Sequence, residues 1–346
     1  MPEFELIRTH FAHLGAARSD VVLGVGDDCA LLAVPAGQEL AVSIDTLVAG
    51  VHFFPDVDPE ALGHKSLAVG LSDLAAMGAE PAWATLALTL PAEDGRWLRA
   101  FAAGFAALAR EQGMALIGGD TTRGPLSLSV QVHGLVPAGR AIRRAGARVG
   151  DLVCVSGTLG DAGLALRDLL AGREVAAGPR ARLERPTPRV ALGLALRGLA
   201  TAMIDISDGL VADLGHILEE SGAAARGERS GESASPGYRR GASSAADAAL
   251  GAEIRLAVLP LSPAVRERLA QDPDWSLPLA SGDDYELCFT LPPERASALP
   301  ALADRLGLAL TPIGRILPTA GLVCIGPAGD RWTPQRGGYN HFADAG

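Results

Sequence analysis

The sequence predicts an α/β (α+β) protein of two domains. Three observations carry this. The chain has 346 residues, about two ordinary domains. Apolar strand-like runs alternate with segments of helical spacing. The 42 glycines and 23 prolines supply more turns than a helical bundle uses. With 48% hydrophobic residues a sizeable core can form, and with only 4% aromatics it is built mainly from Ala, Leu, Val and Ile.

Taken in order, residues 4–13 space apolar side chains as an amphipathic helix does. VVLGVGDDCALL reads as strand, glycine turn and strand, and ELAVSIDTLVAGVHF supplies a strand through Ser43, Ile44, Asp45 and Thr46. Residues 59–77 are helical in spacing, with Pro59 near the start and Gly78 as the residue that ends the helix. PAWATLALTL is a strand. A helix follows over 94–112 with Asp94 as its N-cap. ALIGGDTTRG runs as a strand into a glycine turn, and LSLSVQVHGLV alternates with period two.

Residues 138–151, rich in Gly and Arg, read as a connector. DLVCVSGTLG then opens the second half, residues 187–200 are helical, and AMIDISDGLVADLGHILEE gives strand, aspartate turn and helix. ALASGDDYELCFTL is a turn into a strand. Residues 223–250 carry Ala, Gly, Ser and Arg without hydrophobic period, and read as a disordered insertion without direct chemistry.

Composition excludes several classes. A formal net charge of −10 argues against a nucleic-acid partner, which needs clustered Lys and Arg. No run of about 20 apolar residues is present, so no membrane span is expected. MPEFELIRTHF has no signal-peptide pattern, and a cytoplasmic location is expected. Cys29, Cys154, Cys288 and Cys324 are too dispersed for a zinc site or disulfide framework, and read as small buried hydrophobes.

The chemistry lies in six aspartate motifs, most of them where an apolar strand stops. These are Gly26-Asp27-Asp28, Ser43-Ile44-Asp45-Thr46, Ser72-Asp73, Gly118-Gly119-Asp120-Thr121-Thr122, Asp205-Ile206-Ser207-Asp208-Gly209 and Ser281-Gly282-Asp283-Asp284. Carboxylates are hard oxygen ligands suited to Mg²⁺ or Ca²⁺, and glycine lets backbone approach a phosphate. Two like charges 4 Å apart cost about 4 kcal/mol at an effective dielectric of 20, so several carboxylates in one pocket predict a bound divalent cation and a polyanionic substrate. Each motif alone is equally a turn or a cap. The EF-hand spacing, the P-loop, the protein-kinase motifs and the G-x-S-x-G elbow are all missing.

GVGDDCALL, SIDTLVAGVHF, ALGHKSLAVGLSDLAAMGAEPAW, LIGGDTTRGPLSLS, IDISDGLVADLGHI and SGDDYELCFT, in that order, resemble the thiamine-monophosphate kinase family. That family lies within the ATP-binding superfamily of aminoimidazole ribonucleotide synthetase. The resemblance spans nearly all the chain except residues 223–250. It implies a two-domain PurM-like fold: residues 1–138 form an N-terminal ATP- and Mg-binding domain that builds a dimeric β-barrel, and residues 149–346 a C-terminal α/β sandwich. It implies direct in-line transfer of a phosphoryl group from ATP to thiamine monophosphate, and a homodimer. By position, Asp28, Ser43, Asp45, Asp73, Asp120, Asp205 and Asp208 would hold several Mg²⁺ ions. Gly119, Asp120, Arg144 and Ser207 would contact ATP, and His52, Asp283 and Tyr339 the thiamine phosphate. Asp45, Asp73 and Asp120 would carry the metals that join the two phosphates.

Two positions depart from the family pattern. Ile44 stands where Thr often contributes, and Asp283 where Glu is usual. Alternatives are another enzyme of the superfamily or a non-catalytic Mg-nucleotide-binding regulator. Selenophosphate synthetase would want a reactive Cys or selenocysteine and a glycine-rich N-terminal segment with Lys. The hydrogenase-maturation relative would want a C-terminal Cys, where this chain ends Ala345-Gly346.

Overall fold

The computed structural model describes residues 3–12, 14–226, 250–333 and 338–339. Two compact units result, one of residues 1–75, 79–138 and 184–190, the other of 76–78, 139–183 and 191–346.

The first unit begins with α1 (Glu3–His10), shorter than the spacing predicts because Ala12 N–H turns back to Ile7 O at 3.1 Å. Strands β1 (Val21–Leu23) and β2 (Leu31–Leu32) pair antiparallel around the Gly26-Asp27-Asp28 turn. β3 (Gln38–Val48), α2 (Pro59–Ala76), β4 (Glu80–Leu90), α3 (Gly95–Glu111), β5 (Ala115–Arg123) and β6 (Ser127–Pro137) follow. The four long strands form an open sheet in the order β3-β6-β4-β5. Gly78 has φ +61, the left-handed conformation expected of a residue that ends a helix. Asp94 caps α3 by accepting from the N–H groups of Arg96 and Trp97.

Helices α2 and α3 cross closely. A Cβ on Gly63 would lie 2.0 Å from Phe101 O, and one on Gly104 only 1.9 Å from Glu60 O. Gly70 lets α2 approach the sheet, since a Cβ there would lie 2.9 Å from Val132 Cγ1. The outward-facing positions of edge strand β3 keep Leu40, Val42 and Ile44 exposed at 44, 50 and 62%.

The second unit contains β7 (Leu152–Ser156), α4 (Asp161–Leu170), α5 (Ala177–Glu184), α6 (Val190–Ala195), β8 (Ala202–Asp205), α7 (Leu210–Arg226), β9 (Gly251–Arg255), α8 (Pro263–Gln271), α9 (Ser276–Ala280), β10 (Leu287–Leu291), α10 (Leu299–Leu306), β11 (Leu310–Leu317), β12 (Gly321–Ile325) and β13 (Arg331–Trp332). Its sheet runs β13-β12-β9-β11-β7-β10-β8, antiparallel except between β12 and β9. Leu210, Leu214, Ile217 and Leu218 form the apolar stripe of α7 and join a core with Val153, Ile204 and Ile254.

Three expectations need adjusting. The helix expected over 187–200 is confined to α6: Pro188 keeps the residue before it out of helical conformation, and Gly198, at φ +76, interrupts the far end. Residues 223–226 continue α7, as an Ala-rich run favours, while 227–249 of the expected insertion lie outside the described residues. Three cysteines are buried but Cys29 is exposed, because it sits in the loop joining β1 to β2. Among the described residues no helix is long and apolar enough to cross a membrane.

Candidate active site

Strand alternation decides which residues of Ser43-Ile44-Asp45 meet. Ser43 and Asp45 share one face of β3, and Ile44 points to the other. That face lies under α2, where a Cβ on Gly70 would come 3.5 Å from Asp45 Oδ2. One turn further along α2, Asp73 accepts a short hydrogen bond from Ser43 Oγ. Asp45 Oδ2 is fully shielded and has no hydrogen-bond partner. Burial, reinforced by the Asp73 charge, lifts the Asp45 carboxyl to about 7.

The chemistry of this set fits a divalent cation: two carboxylates and a hydroxyl, one carboxylate oxygen unsatisfied, and like charges in need of neutralisation. Among the described residues no three acidic, His or Cys side chains converge on a metal position. A Mg²⁺ site built from one or two carboxylates, completed by waters and substrate phosphates, needs no third.

Other predicted residues of this unit stand elsewhere. Asp28 is exposed in the β1–β2 turn, its N–H bonded to Asp27 Oδ1 at 2.8 Å. Asp120 on β5 shares the register row of Ala87, Ser129 and Thr46. This is the row next to that of Asp45, on the exposed face, and three strand spacings, roughly 14 Å, separate β5 from β3. Gly119 is required by packing, since a Cβ there would lie 1.9 Å from Leu86 O. His52 Nδ1 accepts the Val48 N–H at 3.0 Å, which leaves the proton of a neutral ring on Nε2.

In the second unit, Asp205 ends β8 in a buried position and the loop 206–209 leads into α7. Asp213, 2% exposed in the first turn of α7, accepts the N–H groups of Ser207, Asp208 and Gly209 on one oxygen, at 3.1, 3.1 and 3.0 Å. Burial and then the nearby Asp208 charge lift its carboxyl to about 7, against the pull of those three bonds. The loop's carbonyls are used as well. Tyr285 N–H bonds Ile206 O at 2.8 Å, Asp283 N–H bonds Ser207 O at 2.8 Å, and Tyr339 N–H bonds Asp208 O at 3.1 Å.

The segment Gly282-Asp283-Asp284-Tyr285-Glu286 divides its side chains between two tasks. Asp284 accepts Gly160 N–H on both oxygens, at 2.9 and 3.2 Å, and burial holds its carboxyl well above the ordinary range. Glu286, fully buried, takes Arg182 at 2.7 Å and Ser156 Oγ at 2.6 Å. Asp283 and Tyr285 adopt left-handed φ values of 59° and 48°, and Tyr285 donates its hydroxyl to Asp283 Oδ1 at 2.9 Å. Tyr339 is 49% exposed. Arg144 is exposed on the connector, its carbonyl accepting from Ser221 Oγ at 3.3 Å.

Asp213 and Tyr285 are the residues that sequence reasoning passed over. For Asp213 a signal existed: an acid in the first turn of a helix that follows a Ser-Asp-Gly loop, where free N–H groups collect. For Tyr285 none did, because its contact depends on the left-handed backbone beside it.

The family described as AIR synthase related protein matches this chain twice, its N-terminal domain over residues 26–136 and its C-terminal domain over 148–326. Thiamine-monophosphate kinase of Escherichia coli (strain K12) is 45% identical over 346 residues, covering 99% of this chain and 98% of the relative. The crystal structure of thiamine-monophosphate kinase from Stenotrophomonas maltophilia K279a is similar with a TM-score of 0.78 and 46% identity, over 92% of this chain and 94% of that one. A solved structure of AaThiL complexed with AMPPCP and TMP is similar with a TM-score of 0.72 and 30% identity, over 90% of this chain and 89% of that one. Agreement of this extent, carried by both halves of the sequence, means that the chain belongs to the thiamine-monophosphate kinase family.

Proposed function

We propose that the chain transfers the terminal phosphoryl group of ATP directly to the phosphate of thiamine monophosphate, giving ADP and thiamine diphosphate. The observation that carries this is the Ser43–Asp45–Asp73 set, with a shielded, unsatisfied carboxylate oxygen, in a chain of this family. The bond between the γ-phosphorus and its bridging oxygen breaks, and one to an acceptor phosphate oxygen forms. That oxygen is already ionised near neutral pH, so no strong general base is needed. Catalysis reduces to alignment and charge neutralisation, and no residue is phosphorylated.

Within this reading, Asp28, Ser43, Asp45, Asp73 and Asp120 of the first unit and Asp205 and Asp208 of the second hold divalent cations. When bound, Mg²⁺ offsets the charge of the two phosphates that must approach one another. Gly119, Asp120, Arg144 and Ser207 contact ATP, and His52, Asp283 and Tyr339 orient the thiamine phosphate. Tyr285 steers the Asp283 carboxylate. Ile44 takes no ligand role through its side chain, which lies on the other face of β3. Incubation with MgATP and thiamine monophosphate should yield ADP and thiamine diphosphate. Absence of product from folded protein would overturn the assignment, and phosphorylation of unphosphorylated thiamine would overturn the acceptor.

The same reading makes the chain a cytoplasmic homodimer. Leu40, Val42 and Ile44 form an exposed apolar row on an edge strand of an open sheet, a surface that a second copy would cover in closing a barrel. Sedimentation equilibrium should give twice the chain mass, and a monomer at micromolar concentration would refute it.

A further inference from the structure

We propose that Asp213 is a positioning residue that sets the ATP-side loop and the acceptor-side residues together, so that binding of both substrates depends on one buried carboxylate. The proposal rests on the roles given above to Ser207, Asp208, Asp283 and Tyr339.

Three consecutive peptide planes lie between Ile206 and Gly209. The first carries Ile206 O and Ser207 N–H, the second Ser207 O and Asp208 N–H, the third Asp208 O and Gly209 N–H. Every one of the three N–H groups points at Asp213 Oδ2. Every one of the three carbonyls accepts an amide from the acceptor side: Tyr285, Asp283 and Tyr339 in turn. A peptide plane is rigid, so holding its N–H fixes its C=O as well. Each plane therefore passes the position of the carboxylate to one residue of the acceptor segment. Hydrogen bonds in series also polarise one another, and those to a charged oxygen are the stronger kind.

The side chains of Ser207 and Asp208 ride on the same planes. At 2% exposure, the Asp213 side chain is itself shielded from solvent. Gly209 completes the arrangement: its φ is +114°, and a Cβ would lie 2.8 Å from Ala280 Cα. Removing the carboxylate frees all three planes to rock, displacing nucleotide-side and acceptor-side groups in one motion.

The test is steady-state kinetics of the full chain as wild type, Asp213→Ala and Asp213→Asn, beside Asp168→Asn. Asp168 is a buried aspartate of the same unit paired with Arg173 and Arg268, and serves as a purely structural control. Asp213→Ala should raise KM for ATP and for thiamine monophosphate together, each by about tenfold, as loss of uniform binding to both substrates does. Asp213→Asn, which keeps an acceptor oxygen but loses the charge, should raise both by a smaller, matching factor. Asp168→Asn should lower Tm and move neither KM. A folded Asp213→Ala with both KM values within about twofold of wild type, or with only one raised, would overturn the proposal. If Asp213→Ala does not fold, Asp213→Asn decides: a matched rise supports the proposal, and no rise or a rise in one substrate alone refutes it. Wild type that forms no thiamine diphosphate is a separate outcome. It removes the kinase reading, and the proposal falls with it.

Discussion

Asp45 and Asp213 make an instructive pair. Burial, with a neighbouring aspartate charge, lifts both carboxyls to about 7. Their surroundings nevertheless differ in kind. Asp213 has three backbone N–H donors on one oxygen, whereas Asp45 Oδ2 has none and faces a second carboxylate. A raised carboxyl alone therefore does not separate a ligand from a scaffold. The separation lies in whether the oxygen's hydrogen-bonding capacity is already used. An unsatisfied shielded oxygen is costly to the metal-free fold, and its retention points to something that arrives later.

The same isosteric change should break the two sites differently. Asp45→Asn should lower kcat by at least about tenfold, because a neutral amide cannot neutralise a cation, while Asp213→Asn should leave most of kcat and act on KM. Equal kcat losses in the two variants would erase the contrast.

Stability should move in opposite directions. In metal-free protein, Asp45→Asn should raise Tm by about 2 °C or more, since it removes like-charge repulsion, and Asp213→Ala, which leaves three N–H donors without their acceptor, should lower it. The Asp45 gain depends on pH. Below the ordinary carboxyl value of 3.8, folded and unfolded chains both hold the proton and the variant gains nothing. Between there and about 7 the unfolded chain ionises first, so wild type loses stability as pH rises, and above about 7 the difference is constant. Thermal melts from pH 4 to pH 8 would show this, and a gain that shrinks with rising pH would contradict it. Added Mg²⁺ should raise the wild-type Tm and have little effect on Asp45→Asn.

The smallest effect belongs to a third kind of aspartate. Asp94 is a solvent-exposed cap on α3, and Asp94→Ala should produce a minor fall in Tm with no kinetic change. A kinetic effect there would mean that the site reaches farther along α3 than its aspartates indicate.

Much of this was legible beforehand. Period two put Ser43 and Asp45 on one face, helical spacing marked α2 with Asp73 upon it, and the capping pattern marked Asp94. Asp120 was less so. Its face depends on strand register, which a bulge between Ala84 and Thr85 shifts, and no local pattern records that. Nor could spacing separate Asp283 from Asp284. The left-handed backbone at Asp283 and Tyr285 breaks simple alternation, so one carboxylate binds Gly160 while its neighbour meets Tyr285. Helices α4, α5, α8 and α10 went unassigned because each runs only eight to ten residues, too short to stand on local pattern alone, and tertiary packing sustains them.

Gly63 and Gly104 act reciprocally, each the gap into which the other helix's carbonyl fits. Such a joint behaves as a keyway: α2 cannot slide along α3 or roll upon it without driving backbone into backbone. Asp73 lies ten residues from Gly63 on that same shaft, so the aim of the carboxylate proposed to hold a cation is fixed by two side chains that do not exist. Drift in this family should accordingly tolerate new side chains over much of the helical surface, yet reject even a methyl group at those two places.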